Sequence, residues 1–261
     1  MQQECSDILT ELESWYARDV GRYLQQQALA TTREMLDMSF GYHILQLGLR
    51  GAQPLCDASP IRHRFYSAER PAEGVDLLAH PDDLPLESDS VDTVILHHTL
   101  EFARRPHDVL REVQRVLTPQ GQVLVVGFNP YSLLGAYARS RGLLRDPLWR
   151  NHYPVGEKRL ADWLCLLGCE VREIRYLCSL PPAGSGRLRN WLARADSWAA
   201  GHNLPTGGVY LLHATKQVVG LTGQRRARRE RRLIGLVPRP AARPSPVPQR
   251  YKVIDKGDVA A

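Results

Sequence analysis

The chain has 261 residues, 43% of them hydrophobic and 24% charged, with a formal net charge of +6; that suits one α/β domain with appendages. No apolar run approaches the roughly 18 residues that span a bilayer, and Met1–Asp7 is polar and acidic, unlike a signal peptide. Five cysteines, with Cys165 and Cys169 the nearest pair and no C-x-x-C, give neither a disulfide framework nor a metal site, so the expectation is a cytoplasmic, reduced, metal-free protein.

Residues 6–38 place Ile8, Leu12, Trp15, Tyr16, Val20, Tyr23 and Leu24 at three- and four-residue spacings. That is the face of one amphipathic helix, or of two broken near Gly21. Ser6 or Asp7 is positioned to cap its start. The apolar run Tyr42–Leu47, between Gly41 and Gly48, predicts a buried parallel strand. Arg62–Ala68, Val75–Ala79 and Val91–His97 predict three more strands. A helix over Pro106–Leu117 opens on a proline, which suits the first turn, and Gln122–Gly127 is a fifth strand. Val155–Gly168 reads as a helix stopped by glycine. Cys169–Cys178 and Val209–Val219 are the last strands, separated by Pro181–Pro182 and a helix near Leu188–Trp198. Strands alternating with helices predict a doubly wound parallel sheet.

The early crossovers are short. About 13 residues follow Gly48, interrupted by Pro54 and Pro60, and Ala68 to Val75 is shorter still. A complete crossover needs a dozen residues or more, so at least one helix is reduced to a turn or loop.

Two motifs carry a resemblance. Leu84-Pro85-Leu86 precedes Ser90-Val91-Asp92-Thr93-Val94, and Arg115-Val116-Leu117-Thr118-Pro119-Gln120-Gly121 leads into the fifth strand. Over about 45 residues this resembles the second half of a class I S-adenosylmethionine-dependent methyltransferase of type 11, with Leu86 replacing a Phe and Gln120 the first glycine of a pair. Leu45–Gly48 and His97–Phe102 resemble the small bacterial YafS-like members. The resemblance implies a Rossmann-like α/β fold, a doubly wound seven-stranded sheet with its last strand antiparallel, an N-terminal helical lid, and S-adenosylmethionine as cofactor.

The resemblance also implies site residues. Ligands in such sheets sit beyond the carboxyl ends of the central strands. The family's first loop reads E/D-x-G-x-G-x-G; here it is Gln46-Leu47-Gly48-Leu49-Arg50-Gly51. Gln46 stands where the acid belongs and Gly48 is kept. Arg50 falls on the second glycine, where it fills cofactor space or pairs with the cofactor carboxylate. Glu69, at the end of the second strand, is the candidate for the ribose hydroxyls. His80 stands at the adenine-contacting position ahead of Leu84, with Asp82 or Asp83 as substitutes or as turn residues. His97 and His98 close the fourth strand. Adjacent strand residues point to opposite sides, so at most one faces the pocket, His98 being the choice, and a paired metal site is disfavoured. Phe128–Tyr131 and His152–Tyr153 fall where a family member forms its acceptor pocket. His98 or Tyr16 is the candidate base, and the methyl acceptor is not identified.

From residue 225 onward eleven basic residues face three acids, so this end is +8 and residues 1–224 are −2. Five prolines between Pro238 and Pro248 oppose regular helix. The expected organisation is a helical lid (1–40), a methyltransferase-like domain (41–220) and a disordered basic tail (221–261). Arg225–Arg232 is a candidate contact for RNA, DNA or anionic lipid, or part of a solubilising tail; with only Tyr251 for stacking, sequence-specific nucleic-acid binding is disfavoured. The rival to an enzyme is a catalytically degenerate binding module on the same fold.

Overall fold

The computed structural model describes residues 2–144, 146–150, 152–178 and 204–217, with Arg194 and His202. The N-terminal periodicity yields two helices, α1 (Gln2–Tyr16) and α2 (Asp19–Leu36). The break falls at Ala17–Arg18, and Gly21 lies inside α2. A β-carbon on Gly21 would stand 2.3 Å from Tyr16 Cα and 2.7 Å from the Trp15 carbonyl oxygen. Glycine therefore serves the contact between the helices and does not end one. Since α1 begins at Gln2, neither Ser6 nor Asp7 caps it.

Seven strands follow: β1 (His43–Gly48), β2 (His63–Ala68), β3 (Leu77–Leu78), β4 (Val91–His97), β5 (Leu117–Phe128), β6 (Cys169–Leu177) and β7 (Val209–Lys216). They form one sheet in the order β3-β2-β1-β4-β5-β7-β6. β7 runs antiparallel to both β5 and β6, and the other pairs are parallel. The three continuous apolar runs thus lie side by side at the centre, β1-β4-β5. Tyr42 is excluded: it is exposed, and β1 starts at His43, whose backbone N–H donates to Asp92 Oδ2.

The first crossover holds only a single 3-10 turn at Leu55–Ala58, and the second, from Ala68 to Leu77, holds no helix. The connection from β3 to β4 also lacks a helix, whereas those after β4 and β5 carry them. α3 (Pro106–Val116) and α6 (Glu157–Leu166) match the sequence reading within a few residues. α4 (Leu133–Leu143) and the one-turn α5 (Pro147–Arg150) were not expected. α4 has scarcely any apolar face, with Leu133, Tyr137 and Leu143 all exposed, so periodicity gave no signal for it. The helix expected near Leu188–Trp198 and the tail from 221 lie outside the described residues.

Two cores flank the sheet. Ile44, Ile95, Leu124, Val126 and Phe128 pack under α1, α2 and α5; Leu45, Leu47, Val94, Leu96, Val123 and Val125 pack under α3 and α6. Strict alternation along each central strand separates the two sets, and each buried side chain contributes about 1.5–3 kcal/mol. α1 and α2 supply Leu12, Trp15, Tyr16 and Leu24 to the first core. The chain leaves β1 toward β2 and re-enters at β4 on the other side. The carboxyl ends of β1 and β4 are therefore the switch point, where a crevice opens. Among the described residues no helix is long and apolar enough to cross a membrane.

Candidate functional site

The backbone at the switch point is held tightly. Gly48 ends β1 with φ +91°, and a β-carbon there would lie 2.3 Å from the His97 carbonyl oxygen. Only glycine lets β1 turn this close to β4. Leu49 N–H donates to that carbonyl (2.8 Å), Thr99 Oγ1 to the Leu47 carbonyl (2.9 Å), and Tyr66 Oη to the Gly48 carbonyl. Burial, reinforced by Glu13, pushes the Tyr66 phenol up, so it remains a donor.

Two cavities open above these strand ends. The larger, 850 Å³, lies between α1, α2 and the loops after β1 and β2, with Tyr16, Arg50, Gly51 and Glu69 on its wall. The smaller, 50 Å³, is lined by Gly48, Glu69, His80, Asp82 and His98. Leu9, Ala68 and Glu69 belong to both walls. Glu69 lies 3.4 Å from His80 Nε2, and His80 Nδ1 contacts Asp82. Arg50 Nη1 donates to the Glu73 carbonyl (2.6 Å), while its Nε is buried with no hydrogen-bond partner.

Five positions singled out from the sequence stand away from both walls. Gln46 is fully buried and stitches the loop, its Nε2 donating to the Leu49 carbonyl (2.8 Å) and its Oε1 accepting from Cys56 N–H (3.0 Å). Leu49 is in the core. Asp83 is taken up in a bridge with His80. Leu84 packs in the second core while its backbone is clamped by Glu112 and Arg115 of α3. His97 is buried with Nδ1 on the Leu49 carbonyl (2.9 Å).

The two histidines do not point apart. His98 adopts φ 53°, the left-handed region, just past the end of β4, and this breaks the alternation. Both rings lie beside Tyr16, at centroid distances of 5.8 and 5.6 Å. A buried polar chain results. Tyr16 Oη is 2.6 Å from His98 Nε2, and His98 Nδ1 is 2.7 Å from Glu101 Oε2. Glu101 also accepts the Phe128 N–H, and His152 Nε2 lies 3.7 Å from its Oε1. The Phe128 ring stacks on His98 at 4.1 Å. Burial alone would raise the Glu101 carboxyl, but the attraction of His98, the bond from it and the nearby His152 ring outweigh it and hold the group at about 2. Burial, with the Glu101 charge and Cys178, drives the Tyr16 phenol well up. Burial and the neighbouring His98 drive His97 well down, so it is neutral.

Glu101 is the residue sequence reasoning missed. Its signal was the three-residue spacing from His98, which matters only once the left-handed turn is known. Of the other positions expected at an acceptor pocket, Phe128 and His152 reach this chain. Asn129 instead ties the backbone at Pro205 and Gly207, and Tyr131 and Tyr153 are exposed.

Comparison with known proteins fits this geometry. Residues 54–125 match the model of the type 11 methyltransferase domain. The uncharacterized protein YafS of Escherichia coli (strain K12) is 32% identical over 190 residues, which cover 70% of this chain and 72% of that protein. The chain belongs to the type 11 methyltransferase family. Solved structures place the fold in the same group. An S-adenosylmethionine-dependent methyltransferase of Thermotoga maritima superposes with TM-score 0.59 at 19% identity, covering 83% of this chain and all of that one. A Haloferax volcanii methyltransferase in complex with the Trm112 activator gives 0.55 at 19%, covering 80% and 98%. The family's cofactor is S-adenosylmethionine.

Proposed function

We propose that this chain binds S-adenosylmethionine across the two cavities and transfers its methyl group to an acceptor entering beside Tyr16. The carrying observation is the pairing of Glu69, on both walls, with Arg50, whose buried Nε has no partner. The cofactor is charged at its amino-acid end and rich in hydroxyls at its ribose, and the donor set fits. Glu69 accepts from ribose hydroxyls, His80 and Asp82 border the nucleoside end, and Arg50 offers a charge-assisted bond to the carboxylate. Gly48 lets the chain pass close, while Leu9 of α1 and Phe102 exclude water. Gln46 itself offers the cofactor no contact, because its amide is spent on Leu49 and Cys56. When bound, the cofactor supplies an electrophilic methyl on a sulfonium. Alignment and dryness are what the protein must add.

Titration calorimetry with S-adenosylmethionine tests this. Saturable binding below about 1 mM is expected. Glu69→Gln and Arg50→Met should each weaken it about 10- to 100-fold, the equivalent of one charge-assisted hydrogen bond, with melting curves unchanged. No binding to a folded wild-type protein would replace the enzyme by a catalytically degenerate binding module.

A further inference from the structure

We propose that Tyr16, His98 and Glu101 form one proton relay in which Tyr16 Oη takes the proton from the methyl acceptor. The assignment rests on the methyltransferase reading above but stands on its own geometry. Three polar side chains lie in a line, Tyr16 to His98 at 2.6 Å and His98 to Glu101 at 2.7 Å, and they are 5%, 0% and 1% exposed. A carboxylate only accepts, so the hydrogen on Nδ1 belongs to His98. Nε2 is then the bare nitrogen, and the phenol donates to it. Tyr16 belongs to the wall of the 850 Å³ cavity, on the same wall as Arg50. His98 itself lines the smaller cavity beside Gly48.

The logic is that of a hydroxyl–imidazole–carboxylate triad, with a phenol as the outer member. The acceptor's proton goes to Tyr16 Oη as the phenolic proton goes to His98 Nε2. The bonding pair stays on the acceptor atom, and the imidazolium is held by Glu101. Because burial and Glu101 disfavour a free phenolate, the two protons move together. Glu101 acts through His98 and is a positioning residue, fixed in turn by the Phe128 N–H. Phe128 stacked on the ring prevents His98 from turning away.

The relay also restricts the substrate. A thiolate or an already neutral amine needs no such base. An acceptor whose nucleophilic oxygen or nitrogen must shed a proton does, and a cavity of this size suits a small molecule.

An aryl sulfonyl fluoride reads the relay without cofactor or acceptor. It forms a sulfur–oxygen bond to a tyrosine as fluoride leaves, and its rate depends on a base taking the phenolic proton. The full chain is labelled from about pH 5 to 9, across the range in which imidazole titrates, and sites are quantified by peptide mass spectrometry. Tyr16 should label at least about ten-fold faster than Tyr42, Tyr131 and Tyr153, which are 81%, 77% and 68% exposed. His98→Asn, which tolerates the left-handed backbone, should remove that advantage. Glu101→Gln should lower the labelling rate, since the imidazolium that forms loses the carboxylate that holds it. The groups facing His98 that shape this profile are Tyr16, His97, Glu101 and His152. A Tyr16 that is unlabelled, that labels no faster than the exposed tyrosines, or that keeps its rate in a folded His98→Asn protein overturns the relay. Calorimetry reports separately on the cofactor, so the two readings fail independently.

Discussion

At the scale of single residues, one dihedral angle decides how the histidine pair is used. With φ 53° at His98, both imidazoles turn toward Tyr16. Burial keeps His97 neutral: its Nδ1 stays on the Leu49 carbonyl and its Nε2 is buried with no partner. This has a consequence for acid stability. A histidine held neutral by the fold destabilises it once pH drops below the unfolded value near 6.5, because the unfolded chain then binds a proton that the native one refuses. Glu101 adds a second leg. Its carboxyl sits at about 2 against 4.5 unfolded, so its stabilisation is complete above pH 4.5 and is lost as pH falls toward 2, up to about 3 kcal/mol. Denaturant melts across pH should show stability falling in these two stages. His97→Asn should shrink the upper stage, the rest belonging to His213, also held down by burial, and Glu101→Gln should remove the lower. A flat profile from pH 7 to 3 would contradict the buried charges.

At the scale of elements, Gln120 is instructive. It replaces a glycine of the family pattern yet keeps φ +67° in the turn within β5. Left-handed backbone costs a side-chain-bearing residue about 1–2 kcal/mol. Gln120→Gly should leave stability unchanged or raise it by up to about 1 kcal/mol, once chain entropy is counted. A β-branched Gln120→Val should lower it, and urea titration separates the cases. The central strands β1, β4 and β5 were legible because they are apolar on both faces, and their neighbours followed from the alternation of strand and helix. α4 was not, because it hides few apolar residues and so shows no period. Gly21 misled because glycine both ends helices and lets them touch, and sequence does not say which. In the site, Gly48, Glu69 and His98 followed from the family resemblance at strand ends and His80 and Asp82 from their spacing ahead of Leu84, and all five line the smaller cavity. Leu49 and Leu84 occupy similar places, but their side chains turn into the core. Glu101 depended on a turn that no spacing rule encodes.

At the scale of the whole molecule, residues Met1–Val219 form one compact unit that holds every contact described for the site. Residues 225–261 carry a net charge of +8 and five prolines, both of which oppose packing. Removing 221–261 should shift the melting temperature by less than about 2 °C, well under the effect of 1 kcal/mol. The same truncation should abolish any salt-sensitive binding to polyanions. A large drop in melting temperature would mean that the segment packs on the unit. Within that unit the elbow between α1 and α2 does more than close a cover. Gly21 sits against the backbone of Trp15 and Tyr16, with no room for even a methyl group. The seat of the phenol on its imidazole is therefore gauged by the thickness of the joint behind it. Sequence drift at the joint would work like a shim under a lever, lifting or lowering the reactive oxygen while every residue around it stayed the same.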